Sequence, residues 1–165
     1  MAAIRGRSAL HPQPFDLAAV AREVADGADD AGAVVTFTGR VRHDDQVVAL
    51  EFETYPEMAD AELGRIRDAL VAAHAPRGLL GLTLLHRSGR LEVGEEVVLV
   101  AAAARHRAIA FQVAAEAMEV LKHQAPIWKR EARADGSVRW VPGAHERADG
   151  PEAAVTESDL VRPKQ

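Results

Sequence analysis

Cysteine is absent from this chain of 165 residues. Its absence excludes disulfides, thiolate ligands for a metal, and any reaction in which the chain carries sulfur on its own side chain. No apolar run approaches the length of about 18 residues that a membrane-spanning helix needs. The start, MAAIRGRSALHPQPF, also lacks the apolar run of a signal peptide. We therefore expect a soluble protein of the cytoplasm.

Several motifs that are typical of enzymes are also missing. The seven histidines form no HExxH pair, and the chain has no GxGxxG or GxxxxGK[ST] glycine loop. No serine lies in a nucleophile-elbow motif. The sequence therefore predicts neither a metal site nor a bound cofactor.

Charge is distributed unevenly along the chain. The formal net charge is −5, yet residues 105–133 carry six arginines and lysines against three glutamates. A short cationic segment in an acidic protein indicates a site for a small anion, and it is too short for a nucleic-acid duplex. Nucleic-acid binding is therefore the least favoured function.

The spacing of apolar residues predicts an α+β fold with a largely antiparallel sheet and three main helices. The helices are expected at residues 15–28, with Asp16 as the N-cap, at 57–73 and at 105–123. Strands are expected at residues 32–39, 47–55, 79–86, 96–103 and 138–141, and the first two are expected to form a hairpin. We expect a single domain over residues 1–143. Apolar periodicity then ends, which predicts a flexible tail over 144–165.

Lys122 is the sharpest candidate for chemistry. On a helix it lines up with Phe111, Ala115 and Met118, so it ends an apolar stripe. Loss of water disfavours the ammonium form, and such a lysine can act as a base or a nucleophile. From spacing alone, the alternative is a lysine whose stem lies along the helix end while its charge stays in water.

Arg105, His106 and Arg107 place positive charge at the start of the same helix, where it opposes the helix macrodipole. No Ser, Thr, Asp or Asn caps this terminus. A bound phosphate or carboxylate would remove both defects. The alternative is three solvated side chains, or ion pairs with Glu95, Glu96 or the tail.

Two more arginines, Arg40 and Arg42, lie at the end of a predicted strand. They are two residues apart and share one face, so Val41 between them is expected in the core. Solvated surface is the default interpretation for both arginines. A second contact with an anion is the alternative.

Trp128 and Lys129 follow Pro126, which disfavours helix at the residue before it. Helical spacing therefore cannot relate Lys129 to Lys122. The ring of Trp128 lies among cationic residues and could stack on a flat heterocycle, or it could anchor the core.

Several segments together resemble one family, the large catalytic subunit of molybdopterin synthase. The matching segments follow the family's order and are GAVVTFTGRVR (32–42), LEFETYPEM (50–58), HRSGRLEVGEEVVLVAAAARHRAIAF (86–111), LKHQAPIWKRE (121–131) and RWV (139–141). The resemblance implies an α/β hammerhead fold and a homodimer. Each subunit would bind a small ubiquitin-like sulfur carrier, giving a heterotetramer. The implied reaction moves sulfur from the carrier's C-terminal Gly-Gly thiocarboxylate to cyclic pyranopterin monophosphate, in two rounds, and forms the dithiolene of molybdopterin.

The resemblance also implies roles for individual residues. The family's essential lysine falls on Lys122 and its second lysine on Lys129, and we expect both to be catalytic. Its anion-binding arginine falls on Arg42 and its His-Arg pair on His106 and Arg107. We expect these three to bind the substrate.

The chain departs from the family near its end. Some members have a further arginine, soon after the WV pair, that reaches the neighbouring subunit's site. Here only His145 or Arg147 could serve, and the tail 144–165 has no clear counterpart. A second class of function stays open, that of a non-catalytic dimer that binds a phosphorylated ligand or the carrier alone.

Overall fold

The protein is described by a computed structural model that covers residues 4–44 and 46–141. These residues form three helices, eight strands and a 3₁₀ turn at Ala75–Arg77. The helices are α1 (Leu17–Ala25), α2 (Pro56–His74) and α3 (Arg107–Gln124). The strands are β1 (Ser8–Leu10), β2 (Ala33–Arg40), β3 (Val47–Thr54), β4 (Leu79–His86), β5 (Gly89–Glu92), β6 (Glu96–Ala104), β7 (Ile127–Arg133) and β8 (Val138–Val141). The predicted tail, residues 144–165, lies outside the described residues.

The strands form two sheets of four strands each. The first sheet has the order β1-β4-β6-β2, and the second sheet has the order β5-β3-β7-β8. Every pairing is antiparallel except that of β1 with β4. The prediction of an α+β fold with largely antiparallel strands and three main helices is confirmed, although the strands divide between two sheets.

The predicted hairpin of β2 and β3 is wrong. β2 pairs with β6 at the edge of the first sheet, whereas β3 pairs with β5 and β7 in the second sheet. The chain crosses between the sheets after Arg40, where the register of β2 shifts and the N–H of Val41 donates to the carbonyl of Glu95 at 2.9 Å. β5 and β7 were not predicted at all.

The helices cover both faces of the first sheet. On one face, α1 begins at Asp16, whose carboxylate accepts the N–H of Ala19 at 2.9 Å as predicted for an N-cap. On the opposite face, α2 and α3 pack side by side. The buried apolar residues of that face include Leu63, Ile66 and Leu70 of α2, Val113, Ala117 and Leu121 of α3, and Leu82, Leu84, Val98 and Val100 of the sheet.

A smaller apolar cluster joins the two sheets. Val41, which is 2% exposed, packs with Phe52 and Leu91 of the second sheet and Val97 of the first. The prediction that Val41 lies in the core is therefore confirmed. Ile127, at the start of β7, packs against the same cluster. Within the described ranges, no helix combines the length and the apolar character needed to cross a membrane.

Candidate active site

α3 carries predicted site residues at both of its ends. His106 is its N-cap and Arg107 its first residue, whereas Lys122 lies in its last turn. All three side chains are exposed. Lys122 is fifteen residues beyond Arg107, and at a rise of 1.5 Å per residue the two lie about 22 Å apart along the helix. One chain therefore keeps its His-Arg pair well away from its Lys122.

The N-terminal end of α3 is an uncapped helix start with positive charge, as predicted. The side chain of His106 makes no cap hydrogen bond. Arg105 forms an ion pair with Asp30 at 2.6 Å, so its partner is neither of the glutamates considered from the sequence. Within the described part of the chain, His106 and Arg107 make no ion pair and no side-chain hydrogen bond. Both remain available to an anion.

Of the two alternatives that spacing left open for Lys122, the single chain shows the one in which the charge stays in water, and the expected loss of water is not seen. Its apolar stripe exists, but Ala115 is exposed and Phe111 is 64% exposed, while Met118 is half-buried. Lys122 is itself exposed. Helical spacing identified an apolar face, but among the described residues only Met118 of that face packs partly against the core, whereas Phe111 and Ala115 lie at the surface.

Lys129 is the better shielded of the two lysines. It lies on β7, an inner strand of the second sheet, opposite Phe52 of β3 and Val141 of β8. Side chains in directly opposed positions share a face of the sheet, with Cβ atoms about 4.5–5.5 Å apart. Lys129 is accordingly half-buried, and it shares a face of the sheet with Phe52. The sequence could not place it, because Pro126 ends the helical spacing.

Arg42 lies two residues beyond the end of β2. It directly follows Val41, which belongs to the apolar cluster between the two sheets. The side chain of Arg42 is 85% exposed and forms an ion pair with Asp44 at 3.0 Å. Arg40 is exposed as expected for solvated surface, but its Nε donates to the carbonyl of Gly94 at 2.9 Å. Since Arg42 follows Val41 and Lys129 opposes Phe52, the cluster that contains Val41 and Phe52 brings Arg42 and Lys129 to one region.

The five predicted site residues therefore divide into two groups. β2 starts beside the beginning of α3, where the N–H of Gly32 donates to the carbonyl of Ala104 at 3.1 Å. A Cβ at Gly32 would lie 2.4 Å from the carbonyl oxygen of Arg105, so only glycine allows this approach. α3 follows β6 and packs back along β6 and β2, which places its C-terminal end toward Arg40. The first group is Arg42, Lys122 and Lys129, and the second group is His106 and Arg107.

Two exposed aromatic side chains add to the surface around the candidate site. Trp128 differs from one sequence expectation, and Phe37 had no expectation. Trp128 is 40% exposed and meets Tyr55 edge-on at 6.0 Å between ring centroids, so it is not a core anchor. Phe37 lies on the edge strand β2 and faces α3, since its register partner Val100 belongs to the core beneath that helix. Its exposure of 42% adds an aromatic surface beside α3 that the sequence analysis did not assign.

A neutral histidine lies against the cluster that joins the two sheets. His86, at the end of β4, meets Phe52 edge-on at 5.5 Å between ring centroids. Its Nδ1 donates to the carbonyl of Arg87 at 2.7 Å, because a carbonyl can only accept. Burial lowers the pKa of His86 to about 4, although this hydrogen bond acts in the opposite direction. The ring is therefore uncharged at neutral pH and adds no positive charge to the nearby site.

Comparison with known proteins identifies the family. The MoaE protein family matches residues 10–124. A molybdopterin synthase catalytic subunit from Mesorhizobium japonicum is 47% identical over 129 residues, which make up 78% of this chain and 79% of the relative. The crystal structure of molybdopterin synthase from Staphylococcus aureus matches with a TM-score of 0.73 at 29% identity, over 81% of this chain and 96% of that chain.

A third likeness extends to a solved complex. One chain of a protein–protein complex of subunits 1 and 2 of molybdopterin-converting factor from Helicobacter pylori matches with a TM-score of 0.65. It covers 82% of this chain and 89% of that chain at 22% identity, which shows a shared fold. The family matches and the fold confirm the resemblance seen in the motifs: this chain belongs to the MoaE family of molybdopterin synthase catalytic subunits.

Proposed function

We propose that this chain is the sulfur-transferring subunit of a molybdopterin synthase that acts on cyclic pyranopterin monophosphate. The observation that carries the proposal is the pair of cationic groups at the two ends of α3, in a chain without cysteine. Exposed arginines, lysines and an uncapped helix start suit a phosphate. Membership of the MoaE family supports the reaction class.

The sulfur donor in this proposal is the C-terminal thiocarboxylate of a small ubiquitin-like carrier protein. Since the chain has no cysteine, another molecule must deliver the sulfur. In each of two rounds, the donor sulfur forms a bond to a substrate carbon and displaces the oxygen substituent there, either the phosphate ester oxygen or a hydroxyl that leaves as water. Water then cleaves the bond between the sulfur and the carrier's C-terminal carbonyl, which leaves an ordinary carboxylate on the carrier. The two-subunit complex from Helicobacter pylori, which shares the fold, supports a partner of this kind. We expect the reaction to take place in the cytoplasm.

The two lysines carry the chemistry in this proposal. Lys122 acts as general acid or base, or as a fixed positive charge near the opening phosphate ring. Lys129 orients the thiocarboxylate or stabilises the charge that develops on it. The half-burial of Lys129, opposite Phe52 on the sheet, supports this role, because partial burial restricts where the ammonium group can reach.

Arg42, His106 and Arg107 bind the phosphate in this proposal. Arginine suits the task because its planar guanidinium can donate two hydrogen bonds to one phosphate. The N-terminal N–H groups of α3 point in the same direction as its helix dipole and would add to the attraction.

The complete site, we infer, takes residues from two copies of the chain. A small cyclic phosphate is far shorter than the separation of about 22 Å between Arg107 and Lys122 on one helix. Lys122, Lys129 and Arg42 of one copy would therefore act together with His106 and Arg107 of a second copy. A homodimer of this kind meets the requirement with a single type of chain.

The exposed stripe of α3 supports a two-copy arrangement. If two α3 helices pack antiparallel around a two-fold axis near Ala115, Arg107 of one copy lies opposite Lys122 of the other. Phe111 then faces Met118 of the second copy, which covers the apolar side chains that one chain leaves exposed. The small side chain of Ala115 allows the two helices to approach closely at the axis.

The experiment that tests the reaction combines the purified protein with a thiocarboxylated carrier and cyclic pyranopterin monophosphate. The dithiolene product is quantified by mass spectrometry. The same carrier with an ordinary C-terminal carboxylate is the control and should give no product. If the thiocarboxylated carrier binds but yields no product, the reaction is refuted and a non-catalytic binder is favoured.

A further inference from the structure

We propose that Arg87 and Glu95 are positioning residues that hold Arg42 in the direction needed to bind the substrate phosphate. The proposal rests on the phosphate-binding role of Arg42 in the proposed function. It assigns a purpose to the ion pair of buried Arg87 with partly exposed Glu95, which involves none of the five site residues.

The first observation is the burial of Arg87, which is only 7% exposed. Its Nη1 donates to Glu95 at 3.1 Å and to the carbonyl of Glu96 at 3.1 Å, whereas its buried Nε has no partner among the described residues. Arginine is almost never buried unless it is paired, since removing a charge from water is unfavourable. The unfavourable burial of the Arg87 guanidinium therefore indicates a specific structural role.

Glu95 connects Arg87 to the turn between β5 and β6. One of its carboxylate oxygens accepts from Arg87, and the other accepts the N–H of Glu92 at 2.7 Å. The N–H of Glu92 and the guanidinium of Arg87 together lower the pKa of Glu95, so the carboxylate stays ionised at neutral pH. Gly94 in this turn has a φ of +92°, a conformation that favours glycine. The pair thus holds the turn in one shape.

The turn between β5 and β6 is hydrogen-bonded to Val41, the residue before Arg42. The N–H of Val41 donates to the carbonyl of Glu95 at 2.9 Å, and the N–H of Gly94 donates to the carbonyl of Val41 at 2.7 Å. Arg40 also donates to the carbonyl of Gly94, at 2.9 Å. Both backbone groups of Val41 are therefore held by residues 94 and 95.

Arg42 has little else to set its direction. Its side chain is 85% exposed, and its ion pair with Asp44, which is itself 58% exposed, is of the weak surface type. β2 has already ended at Arg40, and the next backbone pairing among the described residues is the isolated bridge of Asp44 with Val47. The direction in which the Arg42 side chain leaves the backbone is therefore set by the two backbone hydrogen bonds of Val41. Arg87 and Glu95 act on that direction through the turn that makes these bonds.

The experiment measures KM for cyclic pyranopterin monophosphate and kcat in Glu95→Gln, in Arg42→Ala and in the double variant. Glutamine keeps one acceptor oxygen but loses the charge and one of the two hydrogen bonds. Glu95→Gln should raise KM about 10-fold with kcat within about twofold of native. In the Arg42→Ala background the same change should raise KM by less than about twofold, because coupled residues are not additive.

Two further variants separate positioning from general damage. Arg87→Lys keeps the charge but moves the donor nitrogen away from the position of Nη1, which makes both hydrogen bonds. It should raise KM as Glu95→Gln does, and it replaces that variant if Glu95→Gln is unstable. Glu92→Gln alters an exposed neighbour in the same hairpin, whose side chain pairs with Arg90, and it should keep the native KM. Hydrogen exchange at the amides of Val41 and Gly94 should become faster in Glu95→Gln and stay native in Glu92→Gln.

The outcomes distinguish this proposal from the function on which it rests. If Arg42→Ala raises KM but Glu95→Gln and Arg87→Lys do not, the positioning role is overturned while the proposed function stands. The same holds if Glu95→Gln raises KM equally in the native and Arg42→Ala backgrounds. If Arg42→Ala leaves KM unchanged, the role of Arg42 in the proposed function fails, and the positioning proposal fails with it.

Discussion

Arg107 and Lys122 lie at opposite ends of α3, fifteen residues apart, and both side chains are exposed. The rise of the helix separates them by about 22 Å. One copy of the chain therefore cannot bring both side chains to one small phosphate. The two residues are expected to affect different steps, Lys122 the chemistry and Arg107 the binding of substrate.

Replacing Lys122 by alanine should leave the fold intact and remove nearly all turnover. Because Lys122 is exposed, the free energy of unfolding should change by less than about 0.5 kcal/mol. The turnover number should fall by about 10²- to 10⁴-fold, as expected for the loss of a general acid–base group. Turnover and melting temperature check the two parts. His123→Ala, which changes the exposed neighbour, is the matched control, and normal turnover in Lys122→Ala would refute the assignment.

Lys129→Met should lower turnover without unfolding the protein. Methionine keeps an unbranched apolar stem beside Phe52 but removes the charge, so the loss of stability should stay below about 1.5 kcal/mol. We expect turnover to fall about 10- to 100-fold, since a charge-assisted hydrogen bond contributes about 1.5–3 kcal/mol. Arg139→Met changes a cation on the neighbouring strand β8 and should keep native turnover. Equal losses in the two variants would show a nonspecific effect of charge.

Arg107→Ala should weaken substrate binding while it slightly stabilises the fold. Arg107 opposes the dipole at the start of α3, so its removal should raise the free energy of unfolding by about 0.3–1 kcal/mol. The dissociation constant for cyclic pyranopterin monophosphate should rise by about 10- to 100-fold. Calorimetric titration and thermal unfolding measure the two effects. Arg105→Ala removes an arginine already paired with Asp30 and should change the dissociation constant by less than about threefold; a loss of stability in Arg107→Ala would contradict the account.

His86 should make the protein less stable in mild acid. Burial lowers its pKa from 6.5 to about 4. Between these values the unfolded chain binds a proton that the folded chain does not, so stability falls as the pH drops from about 6.5 to about 4. The contribution is at most about 3 kcal/mol, at 1.36 kcal/mol for each pH unit of the shift. Below about pH 4 this group contributes no further change.

Unfolding curves of native protein and His86→Gln at several pH values would measure this contribution. Glutamine can still donate to the carbonyl of Arg87 but does not titrate. The free energy of unfolding of His86→Gln should therefore depend less steeply on pH within that window than the free energy of unfolding of native protein. His123→Gln alters an exposed histidine and should keep the native slope. A native slope in His86→Gln would mean that other groups cause the acid sensitivity.

Local signals in the sequence predicted most of the elements. A run of β-branched residues marked β2, apolar runs marked β4 and β6, and the cap at Asp16 marked the start of α1. The pairing of strands was not predictable in the same way, because it depends on contacts far apart in the chain. β2 and β3 are consecutive, and their sequence pattern is that of a hairpin. The backbone hydrogen bonds of Val41 to the turn after β5 instead accompany a crossing of the chain, which places the two strands in different sheets.

The candidate site was predictable in its residue types but not in its arrangement. The family motifs pointed to all five residues, and the uncapped start of α3 independently pointed to His106 and Arg107. Spacing could not show that Lys122 is exposed, because an apolar stripe says nothing about what covers it. The better shielded lysine is Lys129, whose position depends on the pairing of β7 with β3.

Mixing two defective variants tests the two-copy site most directly. Lys122→Ala would be co-expressed with the double variant His106→Ala/Arg107→Ala, each with its own tag, and kcat/KM would be measured at low substrate. Random pairing makes half of the dimers mixed, and each mixed dimer then holds one intact site out of two. The mixture should therefore recover about a quarter of native activity. Activity no higher than that of the two variants measured separately, with mixed dimers shown by tandem purification, would contradict a site shared between copies.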